Sequence, residues 1–344
     1  MVLKHLARIS ALLAASTILA IMPAQAAEKT AIRFTLDWKH QGIHAWYYLA
    51  AKKGYFAAEG LDVTIDQGEG SAATVVRVMS GAYDAGFGDM NAIIQNAAKR
   101  PDEAPVMVYQ IYNQPPFAAL ALADGKVTSL KDLEGKIVGG PAGSAATQMF
   151  PALAKAAGVD ASKVEILNMA PNLQEQMLIQ GQVAASLVFN VTSYMNLIGQ
   201  GRDPDKDFVW LPYGKFGLDL YSNGVMVSRK LIAEKPEAVK GLVRAINHAL
   251  MDTIADPKGA VAVMSEVEPL LKADLEAKRV DFALKNLILS QETEKLGLGA
   301  IDPARLKRSI ATVVDLYDLP ATPDASVVFT DAFLPPLADR MLKH

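Results

Sequence analysis

The stretch that most constrains the fold lies between residues 32 and 65. It contains a short apolar strand at residues 32–36, a helical run rich in alanine and aromatic residues at 46–53, and a second strand at 61–65. Strand, helix and strand in this order form a β-α-β unit, which implies a parallel sheet. The sequence therefore predicts an α/β fold.

Polar segments directly follow both strands of this unit. Asp37 and Trp38 come after the first strand, and the glycine-rich segment 68–71 comes after the second. Because ligands of parallel sheets bind beyond the carboxyl ends of the strands, we expect both segments at one edge of a cleft. That edge would carry an aromatic ring, a carboxylate and a glycine-rich loop.

The rest of the chain continues this alternation and then becomes helical. Strands and helices alternate up to residue 228, and a second β-α-β series begins at residue 117. From residue 230 onwards helices dominate, and several carry proline near their first turn, where its missing N–H costs nothing. With 344 residues, 51% of them hydrophobic, the chain suits two lobes. We predict that the helical tail packs on the first lobe.

Composition excludes several classes of function. The formal charge is −3, which becomes −5 (−3 − 2) when a leader with Lys4 and Arg8 is removed, and no basic cluster is present. Nucleic acid and anionic membranes are therefore not expected partners. The absence of cysteine excludes disulfides, thiolate metal sites and a lipid anchor. His40 and His44 are four residues apart without an acidic residue at ligand spacing, so we expect no metal and no cofactor.

The N-terminus has the pattern of a signal peptide. Lys4, His5 and Arg8 form a basic segment, residues 9–21 are apolar, and an A-x-A site ends at Ala26. The apolar run is shorter than the roughly 20 residues that a membrane span needs. We therefore predict cleavage after Ala26, export to the bacterial periplasm and no membrane insertion.

Several sequence motifs together carry a family resemblance. They are L-D-W with His44 six residues after Trp38, A-A-K-K-G-Y-F-A-A-E-G-L-D-V, G-A-Y-D-A-G-F-G-D, D-L-E-G-K-I-V-G-G-P-A-G-S and K-P-E-A-V-K-G-L-V-R-A. With them the chain resembles the periplasmic substrate-binding proteins of ABC transporters, in particular the group for thiamine-pyrimidine precursors, sulfonates, nitrate and taurine. The resemblance covers nearly all of the chain after the leader.

This resemblance implies an α/β, two-lobed periplasmic binding protein fold of type II. Two crossings would join the lobes, and a ligand would be closed between them. We predict a signal peptide at residues 1–26, lobe one at 27–116 and 225–344, and lobe two at 117–224.

The predicted ligand contacts lie at strand ends, at helix starts and at the two crossings. Trp38 would stack on a flat ligand, and the helix starts at Ser71 and Ser144 would offer backbone N–H groups to an oxygen. The complete set is Asp37, Trp38, His44, Tyr48, Gly70, Ser71, Asp89, Asn91, Tyr112, Asn113, Phe117, Ser144, Ala145, Asn190 and Tyr221. Each also has a structural interpretation as a core aromatic, a helix cap, a satisfied histidine or a hinge residue. Tyr48 is chosen over Tyr47 because it matches the aromatic position of the family.

The resemblance implies a monomeric receptor that clamps a small molecule and delivers it to an inner-membrane ABC permease. A sensor kinase as partner stays open. Asp, Asn and aromatic residues dominate the strand ends, with Lys39 as the exception, which favours a flat heteroaromatic ligand such as a thiamine-pyrimidine precursor. An aliphatic or aromatic sulfonate, or an aromatic carboxylate, is the alternative.

An enzymatic hypothesis also follows from the resemblance. The family includes a eukaryotic enzyme that makes the thiamine pyrimidine from pyridoxal phosphate and an active-site histidine, and His44 falls at that position. Against this, the chain has an export leader, lacks the enzyme's cysteine-rich motif, and has K-H-Q-G-I where a Pro-Asn-Thr-Asn stretch is expected. We therefore predict that the protein is not an enzyme.

Overall fold

The structure is a computed structural model that describes residues 29–342; the predicted signal peptide, residues 1–26, lies outside the described residues. The strands are β1 (Thr30–Thr35), β2 (Leu61–Asp66), β3 (Ala85–Asp89), β4 (Val106–Gln110), β5 (Phe117–Leu122), β6 (Ile137–Gly140), β7 (Glu165–Asn168), β8 (Ala185–Phe189), β9 (Phe208–Pro212) and β10 (Asn223–Val227). The helices of the first two-thirds are α1 (Ala45–Lys52), α2 (Tyr55–Ala58), α3 (Ser71–Met79), α4 (Met90–Ala97), α5 (Ala145–Gln148), α6 (Phe150–Ala156), α7 (Gln174–Ile179) and α8 (Asn190–Gly199). Those of the tail are α9 (Arg229–Glu234), α10 (Pro236–Ala255), α11 (Pro257–Val267), α12 (Ala273–Ala283), α13 (Gln291–Leu296), α14 (Pro303–Leu316), α15 (Ala325–Val328) and α16 (Leu337–Arg340).

The strands form two mixed sheets of the same design. The first has the order β2-β1-β3-β10-β4, and the second has the order β7-β6-β8-β5-β9. In the first, β1 pairs in parallel with β2 and β3, while β10 is antiparallel to β3 and β4. In the second, β6 pairs in parallel with β7 and β8, while β5 is antiparallel to β8 and β9. The predicted α/β fold with two lobes is confirmed.

The chain passes between the sheets twice. It leaves the first sheet after β4, builds the whole second sheet, and returns to the first as β10. Because β10 begins at Asn223, the two residues Asn223 and Gly224 belong to the first sheet, although we placed them in lobe two. The other predicted lobe boundaries stay predictions.

The helical tail covers the first sheet but also extends to the second lobe. α10 packs on α1 and α2, and α11 packs on α1, as the sequence predicted. α12 contacts both α8 and the 3-10 turn Gly42–His44, while α14 contacts both α4 and α6. The tail therefore also connects the two lobes.

The local pattern of β1 and α1 explains how the site is positioned. In β1, Ile32 and Phe34 are buried while their neighbours Ala31 and Arg33 are exposed, which is the period of two of a strand. α1 buries Trp46 against this core, and each such large apolar side chain stabilises the fold by about 1.5–3 kcal/mol. Among residues 29–342, no helix combines the length and the apolar character that crossing a membrane requires.

Candidate functional site

A cavity lies between the two lobes, at the carboxyl ends of β1 and β8. It is lined by residues of the first lobe and of the second, namely Asp37, Trp38, Ile43, Ser71, Ser144, Gln174, Phe189 and Thr192. The volume of the cavity is only about 10 Å³. Since that is about the room needed by a single water, the lobes are nearly closed, and a ring-sized ligand enters only if they separate.

The glycine-rich loop is fixed against the end of β1 by backbone contacts. The Gly70 N–H donates to the Asp37 carbonyl at 2.8 Å, and the Gly68 N–H donates to the Trp38 carbonyl at 3.0 Å. A Cβ atom on Gly68 would lie 2.1 Å from the Leu36 carbonyl oxygen, so no other residue permits this approach. The loop and Asp37-Trp38 therefore form one edge of the cavity, as the sequence predicted.

Asp37 is the acidic group of the cavity, and both of its carboxylate oxygens have partners. Oδ1 lies 2.8 Å from His44 Nε2, and Oδ2 accepts from Asn223 Nδ2 at 2.7 Å. His44 Nδ1 accepts from the Gln41 N–H at 3.2 Å, so Nε2 carries the proton of a neutral imidazole. His44 is 0% exposed and does not line the cavity. His44 lies behind Asp37, where it orients the carboxylate, and its contact with a ligand stays a prediction.

Each lobe contributes one aromatic ring to the lining. Trp38 comes from the first lobe, and Phe189, whose ring packs edge-on against Phe117 at 5.3 Å, comes from the second. Tyr48, which we predicted as the second ring, does not line the cavity: its hydroxyl lies 2.8 Å from His40 Nε2, and burial raises the pKa of Tyr48 to about 12. Phe189 is therefore the second aromatic ring of the lining, and a ligand contact of Tyr48 stays a prediction.

The two Gly-Ser helix starts meet across the cleft. The Gly143 carbonyl accepts from the N–H groups of Ala72 and Ala73, each at 3.2 Å, and the Ala145 N–H donates to Ser71 Oγ at 3.4 Å. Gly70 has a φ of 150°, and a Cβ atom there would lie 2.0 Å from the Gly143 oxygen. Gly70 and Ala145 thus lie in a direct contact between the lobes, while Ser71 and Ser144 line the cavity.

Asp89 and Asn91 have structural roles away from the cavity. The Asp89 carboxylate caps α4 by accepting from the Ala92 N–H at 3.1 Å, and it also accepts from Ser222 Oγ at 3.1 Å. Burial raises the pKa of Asp89 to about 6. Asn91 Nδ2 donates to the Tyr221 carbonyl at 2.8 Å. Both side chains fasten the end of β3 to the segment that enters β10.

Three predicted aromatic residues are buried in the protein instead of lining the cavity. Tyr112 packs edge-on against Phe87 at 5.4 Å, and Phe117 supports Phe189. Tyr221 bonds through its hydroxyl to Glu292 and carries the Arg305 guanidinium over its ring at 4.2 Å. None of the three lines the cavity, so their contact with a ligand stays a prediction.

Asn113 and Asn190 flank the first crossing. Their backbone N–H groups donate to the carbonyls of Leu287 and Pro116, both at 2.7 Å. The side-chain N and O of Asn113 and the Oδ1 of Asn190 are buried without a hydrogen-bond partner among the described residues. Neither residue lines the cavity, so their contact with a ligand stays a prediction.

Four lining residues are absent from the predicted set: Ile43, Gln174, Phe189 and Thr192. Gln174 starts α7 and its Nε2 donates to the Leu187 carbonyl at 2.9 Å, a contact without a local sequence signal. Phe189 had such a signal, because it is the last residue of β8 and directly precedes Asn190. In residues 29–342 no three His, Cys, Asp or Glu side chains come together as metal ligands would.

Relatives of this chain include binding proteins and enzymes. It is 27% identical to the riboflavin-binding protein RibY of Chloroflexus aurantiacus over 84% of this chain and 82% of that protein. It is 24% identical to the formylaminopyrimidine-binding protein of Halalkalibacterium halodurans, over 88% and 89%. It is also 27% identical to the 4-amino-5-hydroxymethyl-2-methylpyrimidine phosphate synthase of Candida albicans, over 72% and 74%.

The fold and the family follow from two further comparisons. The alkanesulfonate-binding protein SsuA from Xanthomonas axonopodis pv. citri, solved with MOPS bound, superposes with a TM-score of 0.66 at 17% identity, over 88% of this chain and 97% of SsuA. The chain therefore has the two-lobed periplasmic binding protein fold. The family model described as NMT1/THI5 like matches residues 41–260, which is more than half of the sequence. This chain belongs to the NMT1/THI5-like family.

Proposed function

We propose that this protein is the solute-binding component of an ABC importer and that it clamps a flat nitrogen heteroaromatic molecule between its lobes in the periplasm. The observation that carries the proposal is the lining of the cavity, in which each lobe contributes one aromatic ring, Trp38 and Phe189, beside the fixed carboxylate of Asp37. An inner-membrane permease would receive the ligand.

The chemistry of the lining favours a flat ligand with N–H groups. Aromatic rings bind flat rings by stacking or edge contacts, and a few fixed polar groups then orient the ligand. Asp37 is held by His44 and Asn223, so its remaining lone pairs accept from an amino group or a ring N–H. The hydroxyls of Ser71 and Thr192 add uncharged hydrogen-bonding groups.

The names of the relatives support the same class of ligand. Riboflavin, a formylaminopyrimidine and an aminopyrimidine phosphate are all nitrogen heteroaromatic compounds. Identities of 24–27% over most of the chain support an inference about the class of ligand better than one about a particular ligand. We therefore propose the class, with pyrimidines and flavins as its first members to test.

The enzymatic alternative is favoured by the synthases among the relatives. The residues that it would need are poorly placed. Lys39, the lysine next to Trp38 that would form the Schiff base, is about half exposed and lies 3.7 Å from Glu69, and both ring nitrogens of His44 are bonded inside the protein. We expect no Schiff-base absorbance when pyridoxal phosphate is added. A new absorbance band that disappears in Lys39→Met would establish the enzymatic alternative.

Titration calorimetry with riboflavin and with 4-amino-5-hydroxymethyl-2-methylpyrimidine tests the binding proposal. We expect one of them to bind, and Trp38→Leu to weaken that binding at least about 10-fold, because an aromatic contact contributes about 0.5–1.5 kcal/mol beyond its buried area. Trp210→Leu is the matched control, since Trp210 is also partly buried but lies on β9 outside the cavity. Equal loss in both variants would contradict a stacking role for Trp38.

A further inference from the structure

The N-terminus of α3 already binds an oxygen atom of the protein itself. α3 has nine residues, and the N–H groups of Ala72 and Ala73 in its first turn both donate to the Gly143 carbonyl at 3.2 Å. N–H groups of the first helical turn have no partner within the helix, and together with the helix dipole they normally favour an anion. Here a neutral carbonyl of the second lobe occupies the position where a phosphate, sulfonate or carboxylate oxygen would lie.

The fit at this position leaves no room for an added group. A Cβ atom on Gly70 would lie 2.0 Å from the Gly143 oxygen, and one on Gly143 would lie 2.9 Å from the Glu69 carbonyl oxygen. The backbone at Gly70 therefore packs directly against the backbone at Gly143. An anion reaches the start of α3 only by displacing Gly143, which breaks the contact that closes the lobes.

The charges around the cavity act in the same direction. Asp37 is the charged residue among those that line the cavity, and His44 and Asn223 hold its carboxylate in place. Lys39, the basic residue next to Trp38, lies outside the lining and pairs with Glu69 at 3.7 Å. An anionic ligand would therefore face a fixed carboxylate without a lining cation, and repulsion between like charges opposes its binding.

We propose that this site selects uncharged heteroaromatic ligands against their phosphorylated and sulfonated counterparts, with the Gly143 carbonyl taking the place of the anionic group. This inference rests on the proposed function, whose ligand class it narrows. Gly143 is then a specificity-determining residue that acts through its backbone. The same heterocycle would bind as the free alcohol and be rejected as the phosphate monoester.

Two matched ligand pairs test the inference: riboflavin with flavin mononucleotide, and 4-amino-5-hydroxymethyl-2-methylpyrimidine with its phosphate. Each pair differs only in the phosphoryl group. We expect the uncharged member of at least one pair to bind, and to bind at least about 100-fold more tightly than its phosphate, from like-charge repulsion and the lost lobe contact. MOPS serves as the sulfonate probe and should not bind.

The outcomes separate this inference from the proposed function. A phosphate that binds as tightly as its alcohol, or binding of MOPS alone, overturns the selectivity. In the first case the proposal that the protein binds a heteroaromatic ligand still holds, and in the second it fails. If none of the five compounds binds, the proposed function fails and the inference fails with it.

A variant separates the role of Gly143 from that of Asp37. In Asp37→Asn the repulsion is removed, but the Gly143 carbonyl still occupies the start of α3. The ratio between the Kd of flavin mononucleotide and the Kd of riboflavin should therefore become smaller than in the wild-type protein and still exceed about 10. Complete loss of discrimination in this variant would assign selectivity to the charge alone and overturn the role of Gly143.

Discussion

Two of the contacts between the lobes are chemically opposite. The glycine contact, Gly70 with Gly143, uses uncharged backbone groups, and the bonds beside it are long, at 3.2–3.4 Å. The arginine contact is formed by Arg279 of α12, whose side chain is 2% exposed and whose guanidinium donates to the Val191 and Thr192 carbonyls of α8 at 2.9 and 2.7 Å.

The arginine contact continues into the first lobe through Glu276. This carboxylate binds the Arg279 guanidinium at 2.8 and 3.1 Å and also accepts from the Gly42 N–H at 2.5 Å. Asn196 Oδ1 accepts from the same guanidinium at 3.0 Å. A buried ion pair thus bridges the turn that carries Ile43 and the start of α8.

The comparison indicates which contact opens. Opening the arginine contact would break hydrogen bonds from a charged donor to two carbonyls, each worth about 1.5–3 kcal/mol, whereas a neutral hydrogen bond contributes only about 0.5–1.5 kcal/mol. We therefore expect the lobes to separate at the glycine contact and to stay joined at the arginine contact. The latter then serves as a fixed pivot for ligand entry.

The largest effect should come from breaking the arginine contact. Arg279→Met leaves Glu276 buried without its partner, so we expect the free energy of unfolding in urea to fall by about 3–5 kcal/mol. Lys240→Met is the matched control, because Lys240 pairs with Glu237 at the same spacing, 2.7 Å apart and exposed. That change should cost less than about 0.5 kcal/mol. Similar losses in the two variants would show that Arg279 is not a structural bridge.

A moderate effect on ligand binding, without loss of stability, should come from the glycine contact. The Cβ atom of Gly143→Ala would lie 2.9 Å from the Glu69 oxygen and 3.1 Å from Ala73 Cβ, so full closure requires a shift. We expect the Kd of the bound heterocycle to rise about 10-fold, or about 1.4 kcal/mol, with unchanged unfolding. In the control Gly214→Ala the nearest atom is 3.9 Å away, so affinity should stay at the wild-type value. Wild-type affinity in Gly143→Ala would mean that the bound form does not close there.

The smallest effect should be a pH dependence at Glu175, which borders the arginine contact. Burial raises the pKa of Glu175 above its usual 4.5, although Ser193, Asn196 and Arg279 act to lower it. The folded protein therefore keeps the proton at higher pH than the unfolded chain, and stability from this group is lost as pH rises above 4.5. Between pH 4.5 and 7.5 the free energy of unfolding should fall less in Glu175→Gln than in the wild-type protein. An unchanged pH profile would contradict burial as the cause.

The fold was predictable because its signals are local. The alternation at Ile32 and Phe34, the helix at Trp46 and the stop at Gly54, whose φ is 73°, all lie within one β-α-β unit. The edge of the cavity at Asp37 and Trp38 follows from the same rule, since strand ends of a parallel sheet bind ligands.

The opposite wall was less predictable, because it depends on how the lobes meet. Phe189 lines the cavity while Asn190, the next residue, does not, although both stand where β8 ends and only the packing of the lobes decides between them. His44 was expected at the ligand because the sequence does not show that Asp37 stands between them. Gly143 was expected to precede a ligand-binding helix start, but its carbonyl is itself the partner of α3.

Strand β10 also sets the order in which the protein can be assembled. The second sheet is built from one continuous segment between β5 and β9, whereas β10 pairs with β3 and β4 after all of that segment has been made. Because distant pairings form slowly, the second sheet can form while the first is still incomplete. The first sheet is then completed last, when β10 pairs with β3 and β4.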